Sequence, residues 1–416
     1  MSLLSAVTKT ALAAKSATAS ALSAVWTFPT VLLSAFLVAW GAEAAQFLIS
    51  QGLALAILAW LQTLPEFAVE AVIAWRAADD PVACEAGRAA VLEGIACYKP
   101  LAIANFTGAI RLLVGLGWPM IYFVYAYAQR GRGRRLPEIV LDDEHAIEIL
   151  GLLLPVLYFF LIWWKASISV ADGAILTTMY VLYLFILWRV PPREQTEESV
   201  EGLGAVPRAV LKWTGWRRAG AILGLFAGGG VLLYFVVHPF VESLRALAFT
   251  IGISEFFFVQ WVAPFLSEFP EKTSAFLWAR KGRGAPMALM NMVSSNINQW
   301  TVLAAMIPAV YGVSLGAFEP LRFDDEQRVE ILLTVLQSLV AFLLLCNMRF
   351  RWWEAVVLFV LWFVQFIRPS LHFEVALGYG AWGAGILILY GWQGQLRAPA
   401  LFWRIATGRY ERTPRA

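Results

Sequence analysis

The sequence predicts an all-α polytopic membrane protein built from two inverted-topology repeats of about five helices each, plus an eleventh C-terminal helix. Composition, the shape of the apolar runs and internal self-similarity carry that prediction. Of the 416 residues, 60% are hydrophobic and only 15% are charged. A soluble domain carries about 25% charged residues. The runs at 148–164 and 331–346 are long and do not alternate. Barrel strands would alternate over about ten residues, whereas a helical span needs about 20 apolar ones. The formal net charge of +3 is too small to recruit a polyanion, so the reading has no nucleic-acid partner. A disordered chain and a disulfide scaffold are excluded as well.

Residues 1–28 read as a polar, interfacial segment, with Lys9 and Lys15 among Ala and Ser and no continuous apolar core of a signal peptide. The first repeat, 29–189, holds spans 29–50, 52–76, 100–128, 146–165 and 171–189. Residues 190–218 form a polar loop opening with PPREQTEESVEG, too acidic and Ser/Thr-rich to pack a core. The second repeat, 219–370, holds spans 219–240, 247–278, 286–316, 328–348 and 352–368. Residues 371–416 add a helix at 374–395 and a basic tail. Loop Lys and Arg residues, the RGRGRR run at 130–135 among them, are biased about two to one. That bias puts the N-terminus outside and the 190–218 loop in the cytoplasm of a cell (inner) membrane. The tryptophans are mostly interfacial anchors. Cys84 and Cys97 share one polar loop, where they are free thiols or, in an oxidising compartment, a bonded pair.

The halves repeat in order. LQTLPEFAVEAVIAWRAA (61–78) answers APFLSEFPEKTSAFLWARK (263–281) through a shared L-x-E-F. IANFTGAIRLLVGLG (103–117) lies opposite LMNMVSSNINQWTVLA (289–304), and LDDEHAIEIL (141–150) matches FDDEQRVEIL (323–332). An odd span count makes the second copy enter from the opposite side. Such folds hold their site near the midplane, on interrupted helices. The interruptions are Pro65 in one half and Pro264 and Pro270, flanking Glu268, in the other. Proline frees backbone carbonyls, which in lipid need a partner such as a cation.

With these motifs the chain resembles the calcium/cation antiporter superfamily, the sodium/calcium exchanger membrane region, as a divergent bacterial-type member. LVAWGAEAAQFLIS (37–50), LQTLPEF and ANFTGAIRLL carry the resemblance in the first half. FTIGISEFFFVQWVAPFLSEF (249–269) and MNMVSSNINQ carry it in the second, and ISVADGAILTTMYVLYL (168–184) looks like the family's fifth helix. The resemblance spans about 30–395 and implies a secondary active cation antiporter working by alternating access. Calcium or a similar divalent ion is the implied substrate and Na⁺ or H⁺ the counter-ion. These ions are cargo; no resident cofactor is implied, and the partners are the bilayer and inorganic cations.

On this reading Glu66 and Glu268 face one cation as paired carboxylates, the ligands hard divalent ions prefer. The structural alternative is a pair of buried glutamates, protonated or ion-paired. Thr63, Asn105, Asn291, Ser295, Asn296 and Gln299 offer neutral oxygens, or else bridge helices. Glu70 follows Glu66 by one turn, and Lys272 follows Glu268. Lys272 is either a built-in cation or, the favoured reading, a side chain snorkelling to the inside surface. Arg111 is expected in a buried pair with Glu70 or Glu43. The acidic clusters at 142–144 and 324–326 are expected to cap helices. An enzyme is not expected: His145, His238 and His372 form no H-E-x-x-H pair, and no cysteine sits in a base-rich setting. The remaining alternative is a degenerate exchanger fold acting as a membrane sensor or scaffold.

Overall fold

A computed structural model describes residues 21–45, 60–80, 84, 97–130, 136–188, 204–281, 284–392 and 396–407. The first repeat comprises α1 (Ala24–Ala45), α2 (Leu64–Ala77), α3 (Lys99–Arg130), α4 (Ala146–Lys165) and α5 (Val170–Trp188). A short helix α6 (Ala205–Leu211) leads to α7 (Gly215–Ile251), α8 (Glu255–Ser267) and α9 (Phe269–Arg280). α10 covers 285–315, and α11 (Asp325–Leu345) and α12 (Trp352–Ile367) complete the second repeat. α13 (His372–Trp392) and α14 (Arg397–Ala406) follow.

Among the described residues seven helices are long and apolar enough to cross a membrane: α1, α3, α4, α5, α7, α11 and α13. Their outer faces are apolar at helical spacing, as with Leu154, Leu157, Leu161 and Trp164 on α4. Such a stripe on a long apolar helix suits contact with lipid. α2, α8, α9 and α10 are not among the seven, yet α2 carries the buried Glu66 and Glu70, α9 carries the buried Glu271 and Lys272, and the buried Glu268 stands between α8 and α9.

The inverted relation of the repeats is visible in two small ribbons. β1 (Ile139–Val140), just before α4, pairs antiparallel with β4 (Arg349–Phe350), just after α11. β2 (Ser167–Ile168), just after α4, pairs with β3 (Leu321–Arg322), just before α11. Exchanging the repeats converts one ribbon into the other. The start of α4 thus meets the end of α11 at one ribbon and the reverse holds at the other, so these equivalent helices run antiparallel. α1 and α7 are the corresponding first helices. They cross through a Thr27–Ser243 hydroxyl bond of 2.8 Å and a Ser34 hydroxyl donating to the Gly229 carbonyl at 2.8 Å.

Several boundaries differ from expectation. The spans expected at 219–240 and 247–278 divide elsewhere. α7 runs unbroken through Pro239 and ends at Gly252, whose φ of 73° suits glycine. The remainder is split into α8 and α9 at Glu268. Part of the 190–218 segment does pack: Val210 of α6 is buried with Ala44 and Ile222, because the V-P-R-A-V-L stretch turns an apolar side to α1 and α7. The basic tail also contains structure. α14 buries Ala398, and its Arg397 and Ala398 amides both donate to the Cys346 carbonyl at 2.9 Å. Cys84 and Cys97 form a disulfide. Residues 1–20, 46–59 and 190–203 lie outside the described residues, and with them most of the expected interfacial segment.

Candidate functional site

Two kinds of helix irregularity bring the polar residues together. The first is a break. Thr63 precedes α2 with φ −84° and ψ −4°, and Glu268 separates α8 from α9 with φ −96° and ψ 2°. Each break is followed by proline near the start of the next helix, where its missing N–H costs no hydrogen bond. The second is a single π turn, at Leu113–Gly117 in α3 and at Gln299–Leu303 in α10. Asn105 and Asn291 stand at the same distance ahead of these turns, as the sequence pairing of the two motifs expects.

The breaks give a register that the L-x-E-F alignment misses. Thr63-Leu64-Pro65-Glu66 lies alongside Glu268-Phe269-Pro270-Glu271. Glu66 is therefore equivalent to Glu271, and Glu268 to Thr63. Proline position decides the register, because it fixes where the following helix can begin. The expectation that Glu66 and Glu268 hold corresponding positions is corrected accordingly.

All four glutamates near the breaks are buried, with Glu66 1%, Glu70 0%, Glu268 1% and Glu271 1% exposed. The Gln299 amide bridges the repeats, donating to Glu66 Oε2 at 2.9 Å and to Glu268 Oε1 at 2.6 Å. Ser295 donates to Glu271 Oε1 at 2.6 Å, and Asn291 donates to the same oxygen at 3.3 Å and to Gln62 Oε1 at 3.2 Å. Asn105 donates to Glu70 Oε2 at 2.7 Å. Thr63 turns its hydroxyl back to the Trp60 carbonyl at 2.9 Å, closing the break rather than reaching a carboxylate. Asn296 is fully buried, but neither of its amide atoms has a hydrogen-bond partner. Five side-chain oxygens around the breaks share that condition: Glu66 Oε1, Glu70 Oε1, Glu271 Oε2, Asn291 Oδ1 and Gln299 Oε1. Unpaired buried acceptors are costly, and native structures keep few of them. Among the described residues no three carboxylate, histidine or cysteine side chains gather as a preformed metal cluster. A cation here would draw on amide oxygens as well as carboxylates.

Lys272 does not snorkel. It is 5% exposed and forms an ion pair with Glu268 Oε2 one turn earlier on the helix. Both oxygens of Glu268 are thus occupied, one by ammonium and one by Gln299. Surrounded by protein on α9, the side chain finds a carboxylate closer than the surface.

Arg111 is buried and paired as expected, but with neither expected partner. Glu70 is engaged by Asn105 and Glu43 by Ser274. Arg111 instead pairs with Glu330, donates to Gln365 Oε1 at 3.0 Å and lies over the Trp261 ring at 5.2 Å. Gln260 donates to Glu330 at 2.9 Å, and His372 Nδ1 lies 2.5 Å from its other oxygen. Gly108 permits this packing: a Cβ there would stand 1.9 Å from the Gln260 carbonyl oxygen. The sequence did hold a signal for Glu330. It is the glutamate inside the apolar part of FDDEQRVEIL, matched by Glu148 in LDDEHAIEIL. Asp324 of that motif caps α11 as expected, accepting from the Gln327 amide at 2.7 Å. Glu271 and Gln62 are the other residues that sequence reasoning left outside its ligand set. The repeated Pro-Glu pair points to the first.

With this geometry in hand, the comparisons with known proteins are specific. A family model described as sodium/calcium exchanger protein matches residues 18–189 and 221–368. Among solved structures, the H⁺/Ca²⁺ exchanger CAX is similar at 31% identity over 93% of this chain and 92% of that one, with a TM-score of 0.81. The sodium-calcium exchanger NCX_Mj, soaked with 100 mM Na⁺ and 10 mM Sr²⁺, shares the fold at 19% identity over 83% of this chain and 98% of that one, with a TM-score of 0.53. Among curated proteins none matches. Two matched segments, one in each half, together cover most of the chain, and the chain belongs to the sodium/calcium exchanger family of membrane cation antiporters.

Proposed function

We propose that the protein is a secondary active exchanger that moves a calcium-like divalent cation against protons by alternating access. The observation that carries this reading is the set of unpartnered buried oxygens on Glu66, Glu70, Glu271, Asn291 and Gln299 at the paired helix breaks. A hard divalent cation takes six to eight such oxygens, about the number this shell and freed backbone carbonyls could supply. Glu66 and Glu271, the equivalent glutamates, are the principal ligands. Asn105, Asn291, Ser295, Asn296 and Gln299 supply or orient neutral oxygens, while Thr63 shapes its break and Glu268 anchors Lys272.

Protons are favoured as the counter-ion for two reasons. A carboxylate alone can carry a proton, whereas a sodium site needs a full shell of its own. An ammonium beside the site would also repel a second cation by about 4 kcal/mol at 4 Å and an effective dielectric of 20. The similarity to an H⁺/Ca²⁺ exchanger over nearly the whole chain supports the same choice. Protonation of Glu66 and Glu271 would release the divalent ion, and its return from the other side would release the protons.

The test is a cation screen in proteoliposomes at several pH values. Divalent flux should depend on pH and persist without sodium. Strict sodium dependence would remove the proton step, and no flux with any cation would leave the sensor reading. Orientation is tested separately. Single cysteines at Ser199 and Ala89 should label from opposite sides, with Ser199 cytoplasmic, as the charge bias of the loops requires.

A further inference from the structure

The two repeats differ by one ion pair at otherwise equivalent breaks. Where the first carries Thr63 and, one turn on, Phe67, the second carries Glu268 and Lys272. The second repeat therefore carries an acid and a base where the first has neither, and buries both. A lone buried ammonium or carboxylate would be strongly unfavourable, so each accounts for the other. The pair is also not isolated from the candidate ligands. Glu268 Oε2 holds the ammonium, Glu268 Oε1 accepts from Gln299, and the same amide donates to Glu66 Oε2 at 2.9 Å. On its other side, Lys272 directly follows Glu271 in the chain.

An ammonium against a carboxylate oxygen presents the same charge, at a similar distance, as a dehydrated alkali cation. We propose that Lys272 is a tethered cation, permanently filling a monovalent subsite on Glu268, so that the exchanger requires no alkali ion there. The proposal rests on the exchanger reading above and adds which ion the site excludes and by what group. A covalently held charge cannot leave with the cargo, so one cycle moves one monovalent ion fewer than a site with a free cation on Glu268. Specificity for protons over sodium then lies in a single side chain rather than in the missing neutral oxygens alone.

The test compares wild type, Lys272→Ala and Lys272→Arg in proteoliposomes, measuring Ca²⁺ flux under a pH gradient with choline, Na⁺, K⁺ or methylammonium as the monovalent cation. Wild type and Lys272→Arg should be indifferent to the choice. Lys272→Ala should lose flux roughly tenfold in choline and recover it with Na⁺, K⁺ or methylammonium, the size of a typical coupling between sites. A binding readout needs no transport: these cations should raise the melting temperature of purified Lys272→Ala and leave that of wild type unchanged. Full flux of Lys272→Ala in choline overturns the proposal. So does a folded variant that none of the cations restores or stabilises. Should Lys272→Ala fail to fold, Glu268→Gln with Lys272→Met removes both charges and the subsite. That double variant should be indifferent to alkali ions, and stimulation by them overturns the proposal. If wild type moves no cation under any condition, the exchanger reading fails, and the melting shifts still decide whether Lys272 fills a cation subsite.

Discussion

Among the described residues, the buried charges around Arg111 and those around the helix breaks are built on opposite terms. Around Arg111, the three guanidinium nitrogens reach Thr107, Gln365 and Glu330; Glu330 also takes Gln260 and His372; Gln337 links Gln365 to the Arg111 carbonyl. None of the polar side-chain atoms of Arg111, Glu330, His372, Gln337 and Gln365 is left unpartnered. Around the helix breaks, Glu66, Glu70, Glu271, Asn291 and Gln299 each keep one oxygen without a partner. A satisfied buried network rigidifies and specifies packing, whereas a partly satisfied one is unfavourable unless a ligand completes it. Burial and charge are alike in the two places. The difference lies in unspent hydrogen-bonding capacity, and on the proposed reading that capacity is what a cation at the breaks would use.

Substitutions can break this comparison. The largest effect is expected from Glu66→Gln or Glu271→Gln. Each should cut Ca²⁺ flux by more than the roughly 10–100-fold that outer partners of a metal ligand cost. Melting temperature should hold or rise, because an incompletely paired carboxylate is removed. A collapse of stability with flux per folded molecule intact would place these residues with the structural joint. Next comes Arg111→Met, which leaves Glu330 with fewer partners and should cost about 3–5 kcal/mol of stability. Adding Glu330→Leu should restore most of it, as replacement of a whole buried pair usually does. Retained instability in the double variant would show that the pair is more than a joint.

Asn296→Leu sharpens the contrast further. It removes two buried amide atoms without partners, each of which carries a desolvation penalty of about 1–3 kcal/mol. Melting should therefore stay level or rise while flux falls. A fall in stability would mean that Asn296 has structural partners in the membrane. The smallest effect is expected from Thr27→Val at the α1–α7 crossing. It removes one hydroxyl bond, worth about 0.6 kcal/mol between membrane helices. A change near the detection limit of a melting curve would set the scale for the larger effects.

The fold was largely legible in the sequence because lipid imposes long apolar runs and because the repeats share charged motifs in the same order. α4 and α5 fall within about a residue of the expected spans. Breaks were harder. The Pro264 and Pro270 pair announces an interruption but does not say which glutamate follows the break and which forms it. Sliding the alignment by L-x-E-F instead of Pro-Glu moved the partner of Glu66 from Glu271 to Glu268. Asn105, Asn291, Ser295 and Gln299 could be identified because amides and hydroxyls in a span need a partner. Their partners could not, since Arg111 meets Glu330 across a long sequence separation. Lys272 shows the limit most plainly: snorkelling and pairing start from the same spacing, and only the surrounding helices decide between them.

The ribbons between the repeats have a mechanical consequence. β1 with β4 and β2 with β3 fasten the ends of α4 to the ends of α11, head to tail, at both extremities of these helices. A lever pinned at both ends cannot tilt. Among the described residues no strand pairing ties α1 or α7, and they are joined to each other by hydroxyl contacts on their facing sides. On the proposed exchanger reading the pinned block is the frame, and the α1–α7 pair, tied to neighbouring helices by side chains rather than strands, is the part that moves. On that reading, a cycle that exposes the breaks first to one side and then to the other is a slide of that pair along a stationary block, with the ribbons holding the block together at its two ends.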